Sequence, residues 1–261
     1  MAISRRGLLI LAAGVATFGP MAAPAQAAAP DVSALRQILR KGISRDGSDI
    51  FGMDAETASD VLQRVTKDDA LPDGYAPTDL VSSAARGIDT WSRQLIRELI
   101  VDDTYALVAA ASEAGFRLYV GSGFRSQSYQ EAVFNAQAAR LGDSELANRF
   151  SATPGHSQHQ LGTTIDFTAE FRAFRTDGAA DWLRANAHDF GFVLPYTQAA
   201  TDLTGYVDEP WHGRWVGAGL AGLLRSLDYQ DWTTLDADHA IGLVREEAGL
   251  DTAQEGSRKV F

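Results

Sequence analysis

The stretch Gly155–Phe167, GHSQHQLGTTIDF, gathers two of the chain's five histidines with a serine and an aspartate, in a chain that has no cysteine. Any metal must therefore be held by histidine, carboxylate and water. His159, Asp166 and, further along, His212 offer two imidazoles and a carboxylate. A catalytic zinc takes three such ligands and keeps a fourth position for water. In GYVDEPWHGRWVG, Glu209 stands three residues before His212, with Pro210 stiffening the backbone between them. A glutamate so placed can reach the water of the ion without being a ligand and act as general base. Two neutral imidazoles and one aspartate leave a divalent centre near net +1, acidic enough to activate water and polarise a carbonyl.

Geometry constrains how the first two ligands meet. Seven residues apart on a helix they would lie about 10 Å apart along the axis, too far to share an ion. On a flat strand the odd spacing puts them on opposite faces. The chain must turn between them, and Gly162 is the residue that permits it. We therefore expect a loop carrying His159, a bend at Gly162 and a strand delivering Asp166.

Each residue also has a plainer reading. A His–Asp pair is often a structural hydrogen bond. Glu209 alone would be an exposed acid, and Trp211 and Trp215 are simplest as core aromatics. His156 is an alternative ligand that would need a backbone turn to face inward, and is expected to support the site or lie at the surface. His188 and His239 are expected at the surface. GHSQH superficially resembles a nucleophile elbow, which would make Ser157 the nucleophile. It lacks that motif's second glycine and its strand-to-helix setting.

The elements that must position these residues follow from periodicity. From Asp31 to about Asp73 the pattern predicts short helices and polar turns, with apolar stripes at Leu35, Ile38, Leu39 and at Val61, Leu62, Val65. DGSDIFGMDAETASD has calcium-loop residue types without that motif's glycine and glutamate, and is expected to be a solvated turn. LPDGYAPTDL is an irregular crossing. A helix is expected from about Asp103, buried through Tyr105, Leu107, Val108 and Ala111 and capped by Gly115. FRLYVGSGF is the clearest strand. Ser126 or Ser128 caps the next helix, whose apolar face includes Val133, Phe134 and Leu141. Strands are expected at Thr164–Phe167 and at GFVLPY, and helices near Asp181–Phe190, Val216–Leu227 and Asp236–Ala248. Strands and helices without a regular βαβ repeat favour an α+β fold.

The 261 residues are enough for one sizeable core, and a formal charge of −11 repels phosphate backbones and anionic lipid, which argues against nucleic acid as a partner. The first residues read as a cleavable export signal: Arg5 and Arg6, an apolar run from Leu8 to Phe18, and a small-residue cleavage site at Ala25-Gln26-Ala27. SRRGLL also resembles a twin-arginine signal. The run is short for a membrane span, so no transmembrane helix is expected in the mature protein. The chain is read as a signal peptide (1–27), an N-terminal helical segment (28–70), a domain carrying the candidate site residues (71–230) and a C-terminal helix and tail (231–261).

SQHQLGTTID followed by EPWHGRWVG resembles the two signatures of the VanY-like D-alanyl-D-alanine carboxypeptidases, which are zinc peptidases of the LAS type. SGFRSQSYQ resembles a third signature of that family, and the three stand in the family's order and at similar gaps, across roughly Leu71 to Leu227. The resemblance implies one zinc per chain on His159, Asp166 and His212, with Glu209 as base. It further implies that Arg125 stabilises the oxyanion and that Ser157 and Gln130 hold the peptide end. It implies a small α+β, LAS/Hedgehog-like domain with a central antiparallel sheet flanked by helices. The activity implied is removal of the terminal D-alanine from peptidoglycan stem peptides, of D,D or L,D type, in the bacterial periplasm or cell envelope. Gln158, Thr164, Phe124 and Trp215 depart from the residues commonest in the family at those places. Two other classes of function stay open on the residues alone: a zinc-stabilised wall-binding module without turnover, and the Ser157 hydrolase.

Overall fold

The computed structural model describes residues 53–90, 93–167, 174–175 and 178–247. The expected export signal and the stripe at Leu35, Ile38 and Leu39 lie outside these residues.

Asp54 accepts a hydrogen bond from the backbone N–H of Thr57 at 2.8 Å and so opens helix α1, Ala55–Val61. The second half of the expected solvated turn is therefore helical. The physical reason is the cap together with Ala58, Val61 and Leu62, which reach the core and are 2% exposed or less. Two short strands, β1 (Leu80–Ser82) and β2 (Leu95–Arg97), pair antiparallel with Leu80 opposite Arg97. Helix α2, Val101–Glu113, follows. It buries Val101, Thr104, Leu107 and Ala111, whereas Tyr105, expected inside, is 54% exposed. A helix can bury only one stripe, and the spacing of Thr104, Leu107 and Ala111 defines it.

FRLYVGSGF does not form a strand. It crosses between elements, touching Thr90 through Val120 and Asp166 through Ser122 as isolated bridges. Helix α3, Gln127–Leu141, is capped by Ser126, whose side chain accepts from the N–H of Tyr129, and the one-turn helix α4, Ser144–Ala147, packs beside it. Beyond them, β3 (Thr164–Asp166), helix α5 (Ala179–Asn186), β4 (Phe192–Val193), the short α6 (Thr201–Thr204) and β5 (His212–Trp215) complete the centre. The strands form one antiparallel sheet in the order β3-β5-β4. Helices α7 (Ala218–Ser226) and α8 (Ala237–Glu247) close the chain's described part. One apolar cluster holds side chains from α1, α2, α5, α7 and α8 against the sheet, including Val61, Leu107, Leu183, Phe192, Leu220 and Val244. The fold is α+β, with helices packed around a small antiparallel sheet. Among the described residues no helix is long and apolar enough to cross a membrane.

The crossing segment is held against β2 by a close backbone approach. A Cβ at Gly123 would stand 2.3 Å from the carbonyl oxygen of Leu95. Gly123→Ala must therefore displace main chain, with an expected loss of roughly 1–3 kcal/mol of stability. Urea denaturation measures it, and an unchanged midpoint would contradict the tight approach.

Candidate metal centre

The register of β3 and β5 sets Asp166 directly opposite His212. Opposed residues of an antiparallel pair leave the sheet on the same face, so carboxylate and imidazole emerge side by side. His159 arrives from a 3-10 turn, Gln158–Leu161, ended by Gly162 at φ +70°. That left-handed conformation suits glycine and folds the chain back into β3. The expected bend and strand are both present, with a tight turn in place of an open loop.

One donor atom each from His159, Asp166 and His212 lies within 4.8 Å of the others, and all three residues are buried. His159 Nε2 is 3.3 Å from Asp166 Oδ2, and His212 Nδ1 is 3.3 Å from Asp166 Oδ1. His159 Nε2 and Asp166 Oδ1 are buried with no hydrogen-bond partner. Orphaned polar atoms converging on one centre are what a cation satisfies.

The remaining ring nitrogens fix how the imidazoles present themselves. His159 Nδ1 donates to the carbonyl oxygen of Gly123 at 2.8 Å, leaving the Nε2 lone pair toward the centre. His212 Nε2 donates to Gln158 Oε1 at 3.1 Å, leaving Nδ1 toward the centre. Burial lowers the pKa of His159 to about 4 and lowers that of His212, so both rings are neutral near pH 7, the form that binds metal. Burial works against the charge of Asp166, but the contacts with His159, His212 and Arg125 outweigh it and hold the carboxyl well below its usual range. Two neutral donors and one anion fit a divalent ion.

Glu209 stands beside this set with Oε2 3.6 Å from His212 Nδ1, its side chain 15% exposed. Burial, with the charge of Asp166 second, raises its pKa to about 8. Arg125 donates from Nη2 to Asp166 Oδ2 at 3.1 Å and from Nε to Ser122 Oγ at 3.1 Å. These groups line a cavity of about 430 Å³ that Ser157 also faces, walled by Phe124, Tyr129, Phe150, Tyr196, Tyr206 and Trp211.

Gln130, expected to hold the peptide end, is fully buried and is not among the residues lining the cavity. Its Oε1 accepts from Arg125 Nη1 at 3.0 Å, while its Nε2 donates to the Ala152 carbonyl at 2.7 Å and to Ser151 Oγ at 3.2 Å. It braces Arg125 from behind. His156, half-buried, bonds through Nδ1 to the carbonyl of Thr66. His188, expected at the surface, has a side chain only 13% exposed, and His239 packs its ring near Tyr229. Gln158, the Gly123 carbonyl and Tyr196 were not among the expected site residues. Only the departure of Gln158 from the residue commonest in the resembled family hinted at one of them.

Residues 93–218 match the family described as VanY, D-alanyl-D-alanine carboxypeptidase. The chain is 31% identical over 181 residues to YodJ of Bacillus subtilis (strain 168), covering 66% of each chain. It spans about half the length of two D-alanyl-D-alanine carboxypeptidases that it also matches, from Enterococcus faecalis and Enterococcus faecium. Among solved structures it resembles VanYB in complex with D-alanine-D-alanine, with TM-score 0.57 and 25% identity over 70% of this chain and 97% of that one. It also resembles the LD-carboxypeptidase LdcB, with TM-score 0.57 and 29% identity over 69% of this chain and 84% of that one.

Two outcomes follow from the site's wiring. Gln158→Leu removes the acceptor that orients His212, and should weaken zinc binding by about tenfold in a chelator competition assay. Glu209 supplies a pH signature in the metal-free protein. Its folded pKa lies above the ordinary 4.5, so the stability that its proton contributes is complete below pH 4.5 and lost as pH rises toward 8. In chelator, Glu209→Gln should therefore gain in Tm over the parent across that window, with little difference at its acid end. A constant difference would mean that Glu209 is not buried as described.

Proposed function

We propose that the chain, whose residues 93–218 match the VanY D-alanyl-D-alanine carboxypeptidase family, is an exported zinc carboxypeptidase acting on peptidoglycan stem peptides. It removes the terminal D-alanine of a pentapeptide or tetrapeptide stem. The observation that carries this reading is the buried trio His159, Asp166 and His212 with an acid, Glu209, held beside it and facing the same cavity.

Zinc on the trio supplies the Lewis acidity that lowers the pKa of water and polarises the scissile carbonyl. The protein's own groups do the rest. Glu209 takes the proton of the attacking water and returns it to the leaving amine, from a buried position beside the trio that faces the same cavity. Arg125, permanently charged and braced by Gln130 and Ser122, stands where negative charge develops on the carbonyl oxygen. Ser157 faces the cavity and is placed to bond the peptide's end. The aromatic walls limit water and strengthen each of these interactions.

A serine hydrolase built on Ser157 is disfavoured by His159. Both nitrogens of His159 are directed at Gly123 and Asp166, so this buried imidazole is not free to activate the hydroxyl. A binding module has no need of a base, and Glu209 is kept buried at a cost in desolvation that a binder would not require.

Export rests on the leader-like residues 1–27, with the mature enzyme working in the bacterial periplasm or cell envelope. The purified mature protein should contain about one zinc per chain by elemental analysis. D-Alanine release from muropeptides should stop on chelation and return with zinc. Glu209→Ala should bind zinc yet lose about 10²-fold or more in kcat. Near-normal turnover in that variant would remove Glu209 from the mechanism, and a metal-free active enzyme would remove the whole reading.

A further inference from the structure

Lys67 lies before the residues matched by the family, yet it reaches the metal centre through a chain of rings. Its Nζ stands 3.8 Å from the ring centroid of Tyr206. Tyr206 packs on Tyr196 at 4.7 Å between centroids, and Tyr196 packs on the His212 ring at 4.6 Å with a 41° tilt. On its other side His212 meets His159 edge-on at 5.0 Å. The imidazole is thus clamped between a partner ligand and a tyrosine. Its own ring must stay in one orientation to give Nε2 to Gln158 and Nδ1 to the centre.

We propose that Lys67 is a positioning residue for the metal centre, its ammonium fixing the Tyr206–Tyr196 pair that holds the His212 imidazole in its ligating orientation. The proposal deepens the metal-centre reading and rests on it.

Three further contacts support this. The ammonium donates to the carbonyl oxygen of Asn148, and the N–H of Val207 donates to the carbonyl of Arg149 at 3.1 Å, so Lys67 stands where two cavity-bordering loops meet. Its stem lies flat on the backbone at Gly205, with Cε 2.5 Å from where a Cβ would begin. Burial, then the charge of Arg149, lowers its pKa to about 8, which marks a charge partly removed from water. A desolvated cation over a tyrosine face interacts more strongly than an exposed one.

The test measures zinc affinity of the full chain by chelator competition, with the absorption spectrum of the cobalt(II)-substituted protein as a second readout. Lys67→Met keeps the stem and loses the charge; zinc should bind about tenfold more weakly and the cobalt spectrum should shift. Lys67→Arg, which also stacks on tyrosine, should restore affinity to within about threefold of the parent. Lys67→Gln, which retains a donor for Asn148, is the second variant should Lys67→Met fail to fold, and should weaken zinc similarly. A purely structural role would lower the Tm of these variants and leave affinity and spectrum unchanged, and that result overturns the proposal. Absence of zinc binding by the unsubstituted chain would instead overturn the metal-centre reading itself.

Discussion

A carboxylate buried in a protein interior is tolerable only when its charge is met, and here that requirement organises the site around Asp166. The side chain collects His159, His212 and Arg125 within 3.3 Å. Its backbone is equally committed: the N–H donates to the Ser122 carbonyl at 2.9 Å, and the carbonyl accepts from Gly121 N–H at 2.8 Å. The segment carrying Arg125 is therefore tied to β3 by main-chain bonds as well as by the ion pair. Removing the carboxylate would leave the Arg125 guanidinium without its buried counter-charge and the two imidazoles without their shared partner. The site's net charge and its shape depend on the same residue.

Around that centre lies a layer whose work is orientation. Gln158 and the Gly123 carbonyl each take one imidazole N–H, and Gln130 and Ser122 each take one face of the Arg125 guanidinium. A neutral amide at position 158 accepts the hydrogen bond without adding an anion to the centre. Were a carboxylate to stand there, it would draw the His212 proton more strongly and make the imidazole more basic toward the ion. The departure at Gln158 therefore touches the electronics of the ligand while leaving the ligand set alone.

How much of this was legible in the sequence depended on whether a residue does chemistry or supports it. The donor residues announced themselves by type and spacing, because an odd separation of seven forces a turn and Gly162 is the residue able to make it. The cap at Ser126 was legible for the same local reason. FRLYVGSGF misled because alternating apolar residues mark burial as well as pairing. Its backbone N–H groups bond to Ala111, Asp89, Asp166 and Leu95 in turn, so no single neighbour runs alongside it. DGSDIFGMDAETASD misled in the opposite sense: its acids suggested a solvated turn, but the cap at Asp54 starts a helix at Ala55 that runs on into the stripe at Val61 and Leu62 and adds Ala58 to it. Gln130 matched a site position but supports Arg125 from behind, and sequence cannot distinguish a side chain facing the cavity from one facing the residue in front of it.

The residues ahead of the family match are part of the same packed unit, and the reason is electrostatic. Two buried arginines of the central elements need acceptors that those elements lack. Arg214, on β5 two residues from His212, donates to the carbonyls of Val61 at 3.3 Å and Gln63 at 2.8 Å, where the C-terminal end of α1 presents acceptors and the negative end of its dipole. Arg97, on β2, pairs with Asp60 of α1 and with Asp79 at 2.8 Å, while its backbone N–H donates to the Gly162 carbonyl at 3.0 Å. The buried arginines of both strands thus find their acceptors on the N-terminal side. A chain cut at the edge of the family match would expose Val61 and Leu62 contacts and, more seriously, strand two guanidiniums in the interior. Such uncompensated charge is more damaging than a lost apolar contact of the same size, so α1 packs as part of the unit that holds the site.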